Sequence, residues 1–383
     1  DTQNSRCDSS CRNGFDRNRT SSGVHCSGAR RSAEKDLVRN RLFFVISGEH
    51  RTLPHAEIRA ILQGHHVDFV QVAASAKLLR VEADSSALDV VAKRSMMFEQ
   101  CGVEIAATRP SSRQLLAMIK ELDLPQRLRE RRSFAVRSLR IGRAFRRIQR
   151  ATLEREIGDA LRREYPNLKV DLDRPDVTFL CIVYPHGLLL GEVTHSRAPG
   201  LIASRRPRKR PVFHPSTMPP KLARCLVNLA RPPRGGILLD PFCGVGGILL
   251  EAATIDCNAV GADADPKMVR GARANLKHYG AKPLGLVVED ATRMCVRSVH
   301  SIATDPPYGR ESSTRGQKLD RLLREFLPAA HDALSEAGHL CICCPSEMRL
   351  APIAKAAGFI PIESHLAYVH RSLTRRILVL KKI

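Results

Sequence analysis

Large apolar side chains are almost absent from residues 1–39, which are rich in Ser, Arg, Asn, Asp and Gly, and this composition predicts a disordered tail. From Arg41 the pattern changes. The apolar run at 42–48 predicts a strand, and Ala56, Ile58, Ile61 and Leu62 then recur near helical spacing, with Thr52 expected as N-cap. Strands at 68–72 and 78–82 and a helix over 88–97 complete a small ferredoxin-like α/β unit, residues 40–100. A second small α/β unit follows over 101–195, with helices at 115–122 and 152–165 and strands at 133–139, 169–172, 177–183 and 187–192.

After a basic linker, residues 196–218, the period changes again. An amphipathic helix over 219–230, with Pro220 near its start, leads into an apolar strand that stops at Asp240. Strands at 259–263, 284–289, 301–305 and 339–344 then alternate with helical runs at 246–255, 266–279, 318–334 and 348–357. Such alternation predicts an open α/β sheet of mostly parallel strands over residues 219–383. Strands at 359–364 and 376–380 end the chain.

Charge narrows the partners. Against 39 acidic residues stand 62 basic ones, a net charge of +23, and such an excess points to a polyanion. Arginine outnumbers lysine, which favours bidentate phosphate contacts and base stacking. In the crowd of arginines between Arg127 and Arg163, including Arg137, Arg143, Arg146 and Arg147, acids are few. Of the 12 cysteines only Cys341 and Cys344 stand at Cys-x-x-Cys spacing, and they do so inside an apolar strand-like run, so the cysteines read as buried thiols of an intracellular protein. Cys7, Cys11, His25 and Cys26 lie close together, but at irregular spacing and without surrounding apolar residues, so no metal is expected. No apolar run approaches the ~18–20 residues that span a bilayer.

The candidate chemistry lies at strand ends. Asp305-Pro306-Pro307-Tyr308 follows a buried strand, and proline, with no N–H and a fixed φ, ends it there. The Asp305 carboxylate and Pro306 carbonyl are then acceptors for an exocyclic amine, and the Tyr308 ring is a stacking surface. Accepting from the N–H bonds draws the nitrogen lone pair out of conjugation, ready to attack a methyl donor. Upstream, Asp240-Pro241-Phe242-Cys243-Gly244-Val245-Gly246-Gly247 joins a strand to a helix with a spacing that is not the dinucleotide one, which excludes a nicotinamide oxidoreductase. Asp263 ends the next strand, ~20 residues on, as a ribose-binding carboxylate does, while Asp265 is placed to cap the following helix. Asp290 ends the third strand beside Glu289, on the opposite face.

This series resembles the S-adenosylmethionine-dependent amino-methyltransferases of the Rossmann-like class. The resemblance implies S-adenosylmethionine as cofactor, held by Asp240, Phe242, Gly244, Gly246, Asp263 and Asp290, with Asp305, Pro306, Pro307 and Tyr308 at the methylated amine. The order of units, with the Asp176-Val177-Thr178-Phe179-Leu180 strand and the connector Arg205 to Met218, resembles the THUMP-containing RNA methyltransferases. Within these it is similar to the archaeal-type tRNA guanine-10 N2-methyltransferases over roughly residues 41–383. Valine at 245, where threonine is usual, is a departure. The family's seven-stranded sheet closes with a hairpin. tRNA is thus the implied partner, contacted by Arg137, Arg143, Arg146, Arg147, Arg206, Lys209, Arg210 and Arg310, in a cytoplasmic enzyme for which a monomer is favoured. Methylation of a ribosomal guanine N2, an adenine N6 or a cytosine N4, and a non-catalytic RNA scaffold, are the alternatives. One methyl or two is left open.

Overall fold

The computed structural model describes residues 39–109, 111–121, 131–143, 145, 148–198, 200, 202–307, 316–371 and 373–383, with the backbone alone at 121 and 316–318. The expected tail and its Cys7, Cys11, His25 and Cys26 lie outside the described residues.

Residues 40–196 build one mixed sheet. Its strands are β1 (Asn40–Ile46), β2 (Phe69–Ser75), β3 (Leu78–Ala83), β4 (Phe98–Thr108), β5 (Ser133–Arg140), β6 (Lys169–Val170), β7 (Val177–Tyr184) and β8 (Gly187–Ser196). They run in the order β2-β3-β1-β4-β8-β7-β5-β6. β4 pairs antiparallel with β1 on one side and β8 on the other, so it crosses the expected boundary at 100/101. A central strand must satisfy both rows of backbone groups, and here that requirement welds the two small units together. Helices α1 (Leu53–Gly64) and α2 (Ser86–Arg94) cover the first part of the sheet. Helices α3 (Ser112–Glu121) and α4 (Arg150–Glu164) bury Leu115, Ile119, Leu153 and Ile157 against Phe134, Phe179 and Leu188. Thr52 departs from the N-cap expectation: its hydroxyl makes no cap bond and lies 2.9 Å from His365 Nδ1.

The second sheet holds β9 (Ile237–Asp240), β10 (Asn258–Asp263), β11 (Gly285–Val288), β12 (Val299–Thr304), β13 (Leu334–Pro345), β14 (Phe359–His370) and β15 (Leu373–Lys382). Among the described residues it has seven strands, in the order β11-β10-β9-β12-β13-β15-β14. The first five are parallel, and β15 runs antiparallel to both its neighbours. The strand order reverses between β9 and β12, the switch point where open α/β sheets form a crevice at the carboxyl ends of their strands. Around the sheet lie α5 (Pro220–Leu229), α6 (Gly247–Ala253), α7 (Pro266–His278), α8 (Gly316–Ala333) and α9 (Leu350–Ala356). Leu53, Ala56, Ala60 and Met97 of the first unit share a core with Leu222, Leu226 and Leu249 of the second.

Candidate active site

The apolar strand β9 ends at Asp240, and the chain must turn sharply to start α6. Gly246 takes φ +81° and Gly244 φ +52°, the left-handed region that suits glycine. A Cβ on Gly246 would stand 3.1 Å from that of Ala272, whereas one on Gly244 would meet no protein atom within 4 Å. The turn is fastened to β10: Cys243 N donates to Ala262 O and Gly244 N to Asp263 Oδ2, both at 2.9 Å. Asp263 Oδ1 accepts from Asp265 N, and Asp265 caps α7 by accepting from Lys267 N at 2.8 Å. Burial raises the Asp263 carboxyl pKa. Asp240 is fully buried and accepts from Thr304 Oγ1 at 2.7 Å and Phe242 N at 3.3 Å. Burial pushes its pKa up to about 7, with the charges of Asp263 and Asp305 adding to the rise. The half-buried Phe242 ring packs edge-on against Phe326, centroids 5.1 Å apart.

β12 lies beside β9 and ends at Thr304, which places Asp305 just past the strand, next to the glycine turn. Pro306 is buried and Pro307 exposed. Asp305 Oδ2 forms an ion pair with Arg375 Nη2 at 3.0 Å. Nothing in the sequence marked Arg375: the two residues are far apart in the chain, and only the insertion of β15 beside β13 brings them together. Tyr308, Arg310 and Arg315 lie outside the described residues.

At the third strand end Asp290, the expected cofactor residue, and its neighbour Glu289 separate. Asp290 is exposed, and its Oδ1 accepts from Thr292 N and Oγ1, both at 2.9 Å. Glu289 receives Cys295 N on Oε1 at 2.6 Å, and its Oε2 is buried without a hydrogen-bond partner.

Arg210 requires a correction. Expected at RNA, it is 5% exposed, because the connector folds down onto the glycine turn instead of running through solvent. Asn275 of α7 holds it there, accepting from Val212 N and donating to the Val212 and Val245 carbonyls, each at 2.9 Å. Arg210 Nε donates to Arg205 O, while Nη1 and Nη2 are buried without partners. Nη1 stands 3.2 Å from where a Gly247 Cβ would be, and Thr217 Cγ2 3.3 Å. Burial lowers the Arg210 pKa. Leaving a guanidinium so is costly unless an anion answers it. S-adenosylmethionine fits this edge: open space over Gly244, the Asp263 carboxylate for a ribose, Glu289 or Asp290 for the adenine amine, and Arg210 for the methionyl carboxylate.

Arg137, Arg143, Arg206 and Lys209 are exposed, Arg137 with Nη2 donating to Leu172 O at 2.5 Å. Arg146 and Arg147 lie outside the described residues. Cys243, although in the turn, is buried, and burial drives its pKa up, so it is no ready nucleophile. Among the described residues no three His, Cys, Asp or Glu side chains gather as a metal site, and no helix is long and apolar enough to cross a membrane.

The family model for an RMKL-like methyltransferase domain matches residues 207–377, and that for the THUMP domain matches 111–191. The chain is 36% identical over 343 residues to the tRNA (guanine(10)-N2)-dimethyltransferase of Methanothermobacter thermautotrophicus, covering 89% of this chain and 99% of that protein. It is 29% identical over 367 residues to the enzyme of the same name from Methanocaldococcus jannaschii, again over 89% and 99%. A possible methylase from Clostridium difficile 630 superposes with a TM-score of 0.51 at 16% identity, over 90% of this chain and 98% of that one, a likeness of fold.

Proposed function

The chain belongs to the tRNA (guanine-10 N2)-methyltransferase family, and from that we infer that it methylates the exocyclic N2 amine of a guanosine in tRNA, using S-adenosylmethionine. We take the target to be position 10, and the product to extend to the dimethylated base, as the relatives' names have it. The observation that carries the reading is Asp305, held at the carboxyl end of β12 beside the glycine turn.

Asp240, Phe242, Gly244, Gly246, Asp263, Arg210 and Glu289 or Asp290 would hold the cofactor. When bound, it supplies an electrophilic methyl on a sulfonium, whose C–S bond breaks as the new N–C bond forms. The guanine N2 lone pair is conjugated into its ring and needs help. Asp305 and the Pro306 carbonyl accept its N–H bonds, which localises the pair on nitrogen and orients it toward the methyl. The nitrogen then sheds one proton, and the Asp305 carboxylate is placed to take it before passing it to water. Neither a metal nor a covalent nucleophile enters this scheme. The exposed Arg137, Arg143, Arg206 and Lys209 supply phosphate contacts, worth affinity rather than sequence choice.

The test is mass spectrometry of nucleosides from unmodified tRNA incubated with the protein and S-adenosylmethionine, beside Asp305→Ala. N2-methylguanosine or its dimethyl form, mapped to position 10 and absent with Asp305→Ala, is the expected result. A methylated adenine or cytosine, or product undiminished in Asp305→Ala, would overturn it.

A further inference from the structure

Thr304, the last residue of β12, is level with Ile342 of β13, Leu378 of β15 and Ser364 of β14. β14 runs in the same direction as β12, so the residues after Ser364 pass beyond the carboxyl edge of the sheet, the edge on which Asp305 stands. Three interstrand steps of ~4.8 Å separate the two strands, roughly 14 Å in all. Helix α9 packs on the first half of β14, with Leu350 and Ile353 in one core with Phe359 and Leu378. Past that half the outermost strand is bare. Leu366 and Tyr368, two residues apart and so on one face, are 55% and 68% exposed. Val369, skipped by the register of β14 on β15, is exposed as well. A row of bare apolar and aromatic side chains marks a binding surface. Charge narrows what it binds: residues 364–376 hold Arg371, Arg375 and Arg376 and not one acid. Arg375 is engaged with Asp305, but Arg371 is exposed, and Arg376, opposite Leu366, is braced by Ser346 O at 2.9 Å and Ser364 Oγ at 3.2 Å.

We propose that the β14–β15 hairpin is a further RNA-binding site: Tyr368 stacks on an unstacked base within a few nucleotides of the target guanosine, and Arg371 answers a phosphate of the same stretch. This rests on the reading of the substrate given above. A guanine amine held inside a helix does not reach Asp305, whose side chain is 15% exposed, so the target nucleotide has to leave its stack. The bases next to it then lose a stacking partner. An aromatic ring with an aliphatic neighbour and basic groups beside it is the surface that takes such bases, because every base has a π-face. The ring therefore adds affinity for an opened strand and does not choose a sequence. A positively charged edge lying beside the crevice suits a phosphate backbone, which arginine contacts through its planar fork.

The readouts are the Kd for unmodified tRNA in the presence of S-adenosylhomocysteine, and single-turnover methyl transfer, for wild type, Tyr368→Ala, Tyr368→Phe and Arg371→Ala. Tyr368→Ala should weaken tRNA binding about tenfold, the worth of one stacked base, while Tyr368→Phe, which keeps the ring, stays within about twofold of wild type. Arg371→Ala should lower the slope of log Kd against log salt by about one, the mark of one lost phosphate contact. Affinity for S-adenosylhomocysteine without RNA should be unchanged in all three, since β12 and β13 stand between the hairpin and the strand that carries the glycine turn. Tyr368→Ala binding tRNA as tightly as wild type overturns the proposal. So does Tyr368→Phe falling as far as Tyr368→Ala, which would give the contact to the hydroxyl. A wild-type dimer that Tyr368→Ala splits, seen by sedimentation, assigns the surface to a second copy of the chain and overturns it too. Should the variants fail to fold, hydroxyl-radical footprinting of the wild type decides: tRNA must slow the oxidation of Tyr368, and an unchanged rate overturns the proposal. A wild type that makes no methylguanosine overturns the reading of the function instead.

Discussion

At the scale of single residues, burial decides which carboxyl carries charge. Asp240 and Asp305 stand at the ends of adjacent strands, yet one is sealed in and the other is paired with Arg375. A folded-state pKa of about 7, against an ordinary value of 3.8, means that the folded protein binds a proton at Asp240 that the unfolded chain releases. Stability from this group is therefore present below about pH 4 and is lost as pH rises toward 7, by an amount on the order of 4 kcal/mol. Asp240→Asn, which needs no proton, should melt higher relative to wild type at pH 8 than at pH 5. A difference in Tm that does not change with pH would contradict this. The two turn glycines separate in the same way. Gly246→Ala meets Ala272 at a positive φ and should cost about 1–2 kcal/mol in thermal melts. Gly244→Ala meets no protein atom, so beyond the backbone strain it should act on the ligand, weakening S-adenosylhomocysteine at least tenfold by titration calorimetry. If the two variants lost stability and affinity in the same proportion, the assignment of the open space to the cofactor would fail.

Among the elements, legibility followed the reach of local rules. Each parallel strand was a short apolar run stopped by Gly, Pro or Asp, and period and punctuation suffice for that. The helix at 266–279 showed its start in Asp265-Pro266, and the cap is made as that pair implies. What stayed hidden depends on neighbours in space. Arg210 sits in a basic run whose charge looked like an RNA surface, and only Asn275, 65 positions on, folds the connector down and buries it. Arg375 looked like one more basic residue of a terminal strand, since no local signal tells that β15 lies inside β14. Thr52 had the type and place of a cap, and a histidine from the far end of the chain took its hydroxyl instead.

For the whole molecule, the described residues after the tail form one compact unit, and a buried polar network joins the helices of its first sheet to those of its second. Glu57 of α1 is fully buried and accepts from Ser95 Oγ at 2.5 Å, Met97 N at 3.1 Å and Asn228 Nδ2 of α5 at 2.9 Å. Arg94 donates to the same Asn228 and to Cys257 Sγ, and Arg224 joins the Arg94 carbonyl to the buried Glu251, which Arg205 of the connector also grips. With an apolar core beneath it, such a network lets neither part open without exposing unpaired charge. Scanning calorimetry should therefore give one cooperative transition, and two resolved peaks would show the units to be independent. The strand β4 carries the point further. It pairs with β1 of the leading unit on one side and, on the other, with β8, most of which lies in the stretch matched by the THUMP model, so those two small units share one sheet with no hinge at β4. One sheet thus splints two units that the sequence periodicity reads as separate, and whatever one of them grips, the other moves with it.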